Sequence, residues 1–92
     1  MTSQTKPSGQ FKILYFASAT SFTNKSEEYL DAPLNSRELF DVLDQMYPGM
    51  KASVLDSSAV TRNLEYLDLE DDDPTIFQAG DEVAIIPPVS SG

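Results

Sequence analysis

Three groups of residues in this sequence could do chemistry: an acidic run, two serines and the last residue. The acidic run contains the carboxylates Glu65, Asp68, Glu70, Asp71, Asp72 and Asp73. Calcium-binding loops place their oxygen ligands at fixed alternating positions around a glycine, and D-L-E-D-D-D-P has neither feature. Nothing marks one carboxyl for the raised pKa that a paired-carboxylate hydrolase needs. The pattern therefore favours a solvated loop, with no metal site.

The two serines, Ser90 and Ser91, lack a base that would activate either of them as a nucleophile. The chain contains no histidine and no cysteine. This composition removes the commonest general base, all Ser-His and Cys-His pairs, thiolate metal sites and disulfides. We therefore predict that the chain is not an enzyme by itself.

The segment G-D-E-V-A-I-I-P-P-V-S-S-G, residues 80–92, offers another kind of reactive group. Pro87 and Pro88 end the preceding strand and favour an extended path. Gly92 has no Cβ, so its carboxylate could enter a narrow site that larger residues would block. A frayed terminus is the alternative interpretation.

The strand before the two prolines has two apolar faces. Val83 and Ile85 point to one face, and Ala84 and Ile86 point to the other. One face can rest on a helix. The other face must be covered by the core or meet a partner.

Length and charge narrow the possible functions. The chain has 92 residues and a formal net charge of −9, which predicts one small domain. Such a chain repels phosphates, so we expect neither nucleic acid nor an anionic membrane as a partner; the charge favours solubility or a basic protein partner. The polar N-terminus is not a signal peptide and no stretch is long enough to span a membrane, so we expect a cytoplasmic protein.

Hydrophobic patterns predict the elements of the first third of the chain. Residues 1–10 are interpreted as a disordered tail, and residues 11–17 as a central strand covered on both faces. Residues 18–25 are a loop or a short helix. Residues 26–32 favour a second strand, ending at Pro33.

The clearest predicted element is a helix that begins after Asn35. Asn35 can cap it, Glu38 stands at the capping-box position, and Leu34 and Leu39 can form a hydrophobic staple. Residues 48–49, Pro-Gly, end it. Its predicted core-facing stripe consists of Leu39, Phe40, Leu43, Met46 and Tyr47.

The remaining residues are predicted to form short strands joined by turns. The strands lie at residues 59–62, 64–69 and 82–86, with turns at Asn63 and 79–81 and a loop at 70–74. One main helix on one face of a mixed sheet is an α+β architecture, and the β-grasp, or ubiquitin-like, fold fits its order and size. The predicted domain spans residues 11–86, followed by an exposed functional tail at 87–92.

Three stretches of the sequence resemble one known family. They are K-I-L-Y-F-A at residues 12–17, P-G-M at 48–50, and G-D-E-V-A-I-I-P-P-V-S at 80–90 with a final glycine. Together they resemble the small subunit of molybdopterin synthase, the sulfur carrier of molybdenum-cofactor biosynthesis. The resemblance runs over most of residues 11–92.

The resemblance implies a protein that works through its C-terminal carboxylate. An activating enzyme of the ubiquitin-E1 type would use ATP to adenylate Gly92, and a sulfur donor would then convert it to a thiocarboxylate. The large synthase subunit would supply the catalytic groups, in a heterotetramer of two small and two large subunits. The carrier would deliver sulfur to a cyclic pyranopterin precursor, with no permanently bound cofactor.

The resemblance also assigns residues by position. Phe16 and Ile86 would face the partners, although a core role for Phe16 is an equal alternative. The tail that threads into the large subunit would consist of Pro87, Pro88, Val89, Ser90 and Ser91.

Ser91 departs from the family, which ends in Gly-Gly. Its Cβ and hydroxyl restrict the backbone and widen the tail. This affects both the conversion of Gly92 to a thiocarboxylate, called charging below, and the entry of the tail into the large subunit. A natural variant, an engineered change and a clipped tail are all consistent with it. Two other functions stay open: a ubiquitin-related carrier for tRNA thiolation or protein modification, and a β-grasp binding module without chemistry.

Overall fold

The chain forms a five-stranded mixed sheet that packs against its helices. The computed structural model describes residues 9–70 and 73–88. The main sheet has the order β2-β1-β7-β4-β5, and a second sheet pairs β3 with β6. The strands are β1 (Gln10–Tyr15), β2 (Glu27–Asp31), β3 (Leu34–Asn35), β4 (Ala59–Arg62), β5 (Glu65–Tyr66), β6 (Ile76–Phe77) and β7 (Glu82–Ile86). This is the α+β architecture that the sequence predicts.

Strand β1 lies inside the main sheet, antiparallel to β2 and parallel to β7. Its side chains alternate as the strand geometry requires. Phe11, Ile13 and Tyr15 are buried, whereas Lys12 and Leu14 on the opposite face are only half-buried. The central position is as predicted, but the core covers one face of β1 rather than both.

The helices are α1 (Ser18–Thr23), α2 (Ser36–Met46), α3 (Met50–Ser53) and a short 3-10 helix (Leu55–Ser57). Asn35 caps α2 as predicted, because its Oδ1 accepts a hydrogen bond from the backbone N–H of Arg37 at 2.8 Å. Leu39 and Leu43 are fully buried. Met46, the last residue of α2, is 42% exposed, so its predicted place in the core-facing stripe is wrong. No helix in the described part of the chain is long and apolar enough to cross a membrane.

One hydrophobic core lies between the inner face of the sheet and the helices. The rings of Phe11 in β1 and Phe77 in β6 pack with their centroids 5.3 Å apart, which ties the small sheet to the main one. Sequence patterns did not reveal β3 or β6. The largest fully buried side chains are Phe11, Ile13, Leu39, Leu43, Met50, Leu55, Val60, Phe77, Val83 and Ile85.

The half-buried strand predicted at residues 64–69 is wrong. Strand β5 has only two residues, which pair with Thr61 and Arg62 of β4. Leu64 lies in the preceding turn with φ 76° and is 87% exposed, and Tyr66 is 71% exposed. The alternating pattern fails here because the turn takes Leu64 out of the ladder and no element covers Tyr66.

Strand β1 begins at Gln10, one residue before the predicted strand at 11–17, and ends at Tyr15, two residues before the predicted end; Ala17 has φ 51°. At the other end Pro87, the first residue of the predicted tail, is buried. The disorder predicted for residues 1–8 lies outside the described residues.

Candidate functional site

The root of the C-terminal tail is fixed in the sheet. Strand β7 pairs with both β1 and β4, and Ile86 lies opposite Ala59. Pro87, directly after β7, is buried and Pro88 is exposed. The predicted tail residues Val89, Ser90, Ser91 and Gly92 lie outside the described residues.

An apolar groove lies on the outer face of the sheet, opposite the core, beside the root of the tail. We call it the outer groove. It encloses about 230 Å³, less than the ~300–1,000 Å³ of small-molecule sites, so it suits a few side chains of a partner protein. It is lined by Leu14, Phe16, Thr61, Leu64, Tyr66, Glu82, Ala84 and Ile86.

The alternation of β1 and β7 creates this groove. Ile13 and Ile85 point into the core, so Leu14 and Ile86 point outward. Phe16 follows the end of β1 and is 46% exposed. The structure therefore brings Phe16 and Ile86 together on one surface, and the alternative core role of Phe16 is wrong.

The turn between β4 and β5 forms the other side of the outer groove. Asn63 and Leu64 both have positive φ, 51° and 76°, as in two-residue hairpin turns where glycine usually takes the second position. A leucine there adopts a sparsely populated conformation, and such strain tends to occur at functional sites. The sequence analysis did not identify Leu64 and Tyr66 as site residues. The sequence Asn-Leu, at a turn where Asn-Gly is usual, was the signal that could have indicated them.

Backbone and side-chain hydrogen bonds join this turn to the start of β7. The backbone N–H of Asn63 donates to the carbonyl of Glu82 at 2.7 Å, and the N–H of Glu82 donates to Asn63 Oδ1 at 2.9 Å. The Asp81 carboxylate accepts from Arg62 Nε at 2.9 Å, from Asn63 Nδ2 at 3.2 Å and from the N–H of Gln78 at 2.8 Å. Burial pushes the pKa of Asp81 up, but these hydrogen bonds outweigh it and hold that pKa below its ordinary value.

A second polar cluster lies next to Phe16. Tyr15 and Tyr47 both donate hydrogen bonds to Glu28 Oε2, the latter at 2.7 Å, and Lys25 Nζ lies 3.1 Å from Glu28 Oε1. Burial pushes the pKa of Glu28 up, but the three donors outweigh it and lower that pKa. This cluster links β1, β2 and the end of α2, and so fixes the strand end from which Phe16 projects.

The described residues, 9–70 and 73–88, contain no cluster of acidic side chains that could hold a metal ion. Asp71 and Asp72 of the acidic run lie outside those ranges. The outer groove has a mostly apolar lining, which suits apolar side chains.

Solved structures identify the fold class. The chain superimposes on SAMP1 from Haloferax volcanii with a TM-score of 0.72 and 26% identity, over 91% of this chain and all of that one. It also superimposes on a chain in the complex of subunits 1 and 2 of the molybdopterin-converting factor from Helicobacter pylori. That match has a TM-score of 0.61 and 23% identity, over 90% of this chain and 99% of that one. The protein therefore has the predicted ubiquitin-like β-grasp fold.

Sequence relatives identify the family within that fold. Residues 13–92 match the ThiS family. The molybdopterin synthase sulfur carrier subunit of Phaeosphaeria nodorum is 53% identical over 96 aligned positions that cover 100% of both chains. The chain belongs to the ThiS family and, within it, to the molybdopterin synthase sulfur carrier subunits.

Proposed function

We propose that this protein carries sulfur for molybdopterin synthase as a thiocarboxylate on Gly92. One observation carries the proposal: Ile86 lines the outer groove and directly precedes the two prolines at the root of the tail, so a partner that covers the outer groove would lie beside that root. The family match runs to Gly92, which supports assigning the chemistry to that residue. The carrier would work in the cytoplasm.

The chemistry requires only a carboxylate from this chain. The Gly92 carboxylate would attack the α-phosphate of ATP on an E1-like activating enzyme, forming an acyl adenylate and releasing pyrophosphate. A sulfur nucleophile would then displace AMP and leave the thiocarboxylate. A free carboxylate is a poor acyl donor, so adenylation supplies the leaving group. The carrier itself needs neither histidine nor cysteine for these steps, and the chain contains neither.

The large synthase subunit would bind the outer groove and accept the tail. Phe16 and Ile86 would be the central contacts, with Leu64 and Tyr66 opposite them. Val89, Ser90 and Ser91 would thread to the large subunit's active site, where the thiocarboxylate delivers sulfur to a cyclic pyranopterin precursor. Two carriers and two large subunits would form the heterotetramer. No cofactor would stay bound to the carrier, and ATP would be consumed on the activating enzyme.

Deleting Gly92 tests the proposal. We expect the full chain, incubated with its activating enzyme, ATP and a sulfur source, to gain the mass of an oxygen-to-sulfur exchange. It should then yield molybdopterin when mixed with the large subunit and the precursor. The chain lacking Gly92 should do neither while keeping its affinity for the large subunit. Thiocarboxylate formation or sulfur delivery by the truncated chain would refute the proposal. If the full chain formed the thiocarboxylate but yielded no molybdopterin, the result would favour a carrier for tRNA thiolation.

Ser91→Gly tests the residue that departs from the family. Glycine restores backbone freedom next to the reacting carboxylate, so we expect this variant to form the thiocarboxylate faster than the chain with Ser91 in the same mass assay. Ser90→Gly, one residue further from the carboxylate, is the matched control and should change the rate less. Equal charging rates for all three chains would show that the serine imposes no cost.

A further inference from the structure

The side of the outer groove that carries Leu64 and Tyr66 rests on a very small element. The β4–β5 ladder contains two residue pairs, Thr61 with Tyr66 and Arg62 with Glu65. Strand β4 also pairs with β7 over four residues, whereas β5 is the edge strand of the described sheet and pairs with β4. Leu64 is 87% exposed, so packing within this chain does not hold its side chain. The hydrogen bonds between the turn and the start of β7 therefore add to the short ladder in fixing the turn.

Besides the bonds between Asn63 and Glu82, the side chain of Asp81 supplies part of that fixation. Its Oδ2 accepts hydrogen bonds from Arg62 Nε at 2.9 Å and from the N–H of Gln78 at 2.8 Å, and its Oδ1 accepts from Asn63 Nδ2 at 3.2 Å. The carboxylate thus binds Arg62, the last residue of β4, and Asn63, the first residue of the turn. Its side chain is 12% exposed, and the bond from Arg62 is partly buried.

The backbone of Asp81 ties the same point to the opposite side of the groove. The carbonyl of Asp81 accepts a hydrogen bond from the N–H of Lys12 in β1 at 2.9 Å, and its N–H donates to the carbonyl of Gln78 at 3.1 Å. Strand β1 leads directly to Leu14 and Phe16. One residue therefore connects the strand on one side of the outer groove with the turn on the other.

We propose that Asp81 is a positioning residue, which sets the spacing between Leu64 and the β1–β7 side of the outer groove. The inference rests on the proposed function, in which apolar side chains of the large synthase subunit occupy this groove. Because the groove is small, a shift of the turn changes whether those side chains fit. Asp81 itself need not touch the partner.

A double-mutant cycle on the full-length chain tests this role. The measured quantity is the dissociation constant for the large subunit, by calorimetry, of the wild type, Asp81→Asn, Leu64→Ala and the double variant. Residues that act through one another give non-additive effects, so we expect Asp81→Asn to weaken binding about tenfold in the wild type and hardly at all in the Leu64→Ala background. Asp56→Asn removes an exposed carboxylate elsewhere and should leave binding unchanged.

A second variant and a local measurement separate positioning from loss of fold. In Asn63→Gly the new residue tolerates the positive φ of this position, but the side-chain bonds to Asp81 and Glu82 are lost. This variant should therefore weaken binding of the large subunit as Asp81→Asn does. Hydrogen exchange provides the local measurement. In both variants the backbone amides of residues 63 and 82 should exchange faster than in the wild type, while the amide of Ile13 stays protected.

The outcomes are distinct. If the wild type binds and Asp81→Asn weakens binding equally in both backgrounds, or not at all, Asp81 does not position Leu64 and the inference is wrong while the proposed function stands. If the wild type itself does not bind the large subunit, both fail. Faster exchange at Ile13 would show general destabilisation and would also overturn the inference.

Discussion

At the scale of single residues, Glu28 is a largely buried carboxylate that several donors hold in place. Its carboxylate accepts hydrogen bonds from Tyr15 and Tyr47 and pairs with Lys25 at 3.1 Å. Burial, followed by the bond to Glu28, raises the pKa of both tyrosines, and the bond to Glu28 raises the pKa of Lys25. All four groups therefore favour the protonation states that they have at neutral pH.

Glu28→Gln should destabilise the protein in a pH-dependent way. The folded-state pKa of Glu28 lies below its ordinary value of 4.5, so its ionised form adds stability above pH 4.5. That contribution is lost as pH falls through the lowered pKa. Hydrogen bonds to charged groups contribute roughly 1.5–3 kcal/mol, so we expect a loss of about 2 kcal/mol at pH 7. The gap should close in acid, as measured by urea unfolding from pH 7 to pH 3.

Glu27→Gln is the matched control for that measurement. Glu27 precedes Glu28 in β2 but is exposed, and its nearest cation, Lys12, is 4.0 Å away. Surface pairs contribute little, so its free energy of unfolding should stay close to the wild type at every pH. A Glu28→Gln deficit that is constant from pH 7 to pH 3 would show that lost packing, not lost charge, causes it.

At the scale of elements, β6 shows how a two-residue strand can be essential to the core. Phe77 is fully buried against Phe11, whereas its neighbour Ile76 is 40% exposed. Strand β6 is held by pairing with Leu34 and Asn35 of β3, more than forty residues earlier in the chain. The small sheet thereby fixes the start of α2, since Asn35 both pairs with Ile76 and caps the helix.

Phe77→Ala and Ile76→Ala should have very different effects. Truncating a buried phenylalanine costs about 3–5 kcal/mol, a large part of the ~5–15 kcal/mol by which domains are stable. Truncating Ile76, which is 40% exposed, should cost only about 0.5–1 kcal/mol. Urea unfolding of both variants checks the difference, and similar losses would contradict the assignment of the two faces of β6.

Elements that depend on local signals were predictable from the sequence. The bounds of β4 and β7 match the predicted residues 59–62 and 82–86, and Asn35 caps α2. These elements carry their own alternation, turn residues or caps. Strands β3 and β6 do not, because two residues hold no period and only their distant pairing makes them strands.

The candidate site was half predictable for the same reason. Phe16 and Ile86 were identified as partner-facing through the family resemblance, and the structure places them in one groove. Leu64 and Tyr66 were assigned to a half-buried strand, because alternation alone cannot show that no element covers them. The hydrogen bonds of Asp81 join residues nineteen and eighteen positions apart, which no local pattern reveals.

At the scale of the whole molecule, the proposed function assigns the two faces of the main sheet to different tasks, the inner face to stability and the outer face to partner binding. Its inner face packs on the helices and holds the core, whereas its outer face forms the outer groove. The net charge of −9 keeps copies of the chain apart while an apolar surface stays exposed. A partner that covers this surface buries apolar area without disturbing the core.

Two neighbouring isoleucines of β7 test that separation. Ile85 is fully buried and lies opposite Val60, whereas Ile86 lines the outer groove opposite Ala59. Ile85→Ala should cost about 2–5 kcal/mol of folding free energy but leave the affinity of the folded protein for the large subunit unchanged. Ile86→Ala should cost under about 1 kcal/mol but weaken that affinity about tenfold, as truncation of a central interface contact does.

Urea unfolding and calorimetric binding on the same two samples provide the measurement. Both substitutions remove the same atoms from adjacent positions of one strand, so each variant is the control for the other. If Ile86→Ala lowered stability as much as Ile85→Ala, the outer face would belong to the core. If Ile85→Ala weakened binding of the folded protein as much as Ile86→Ala, the two faces would be coupled through β7, and the sheet would not separate the fold from the docking surface.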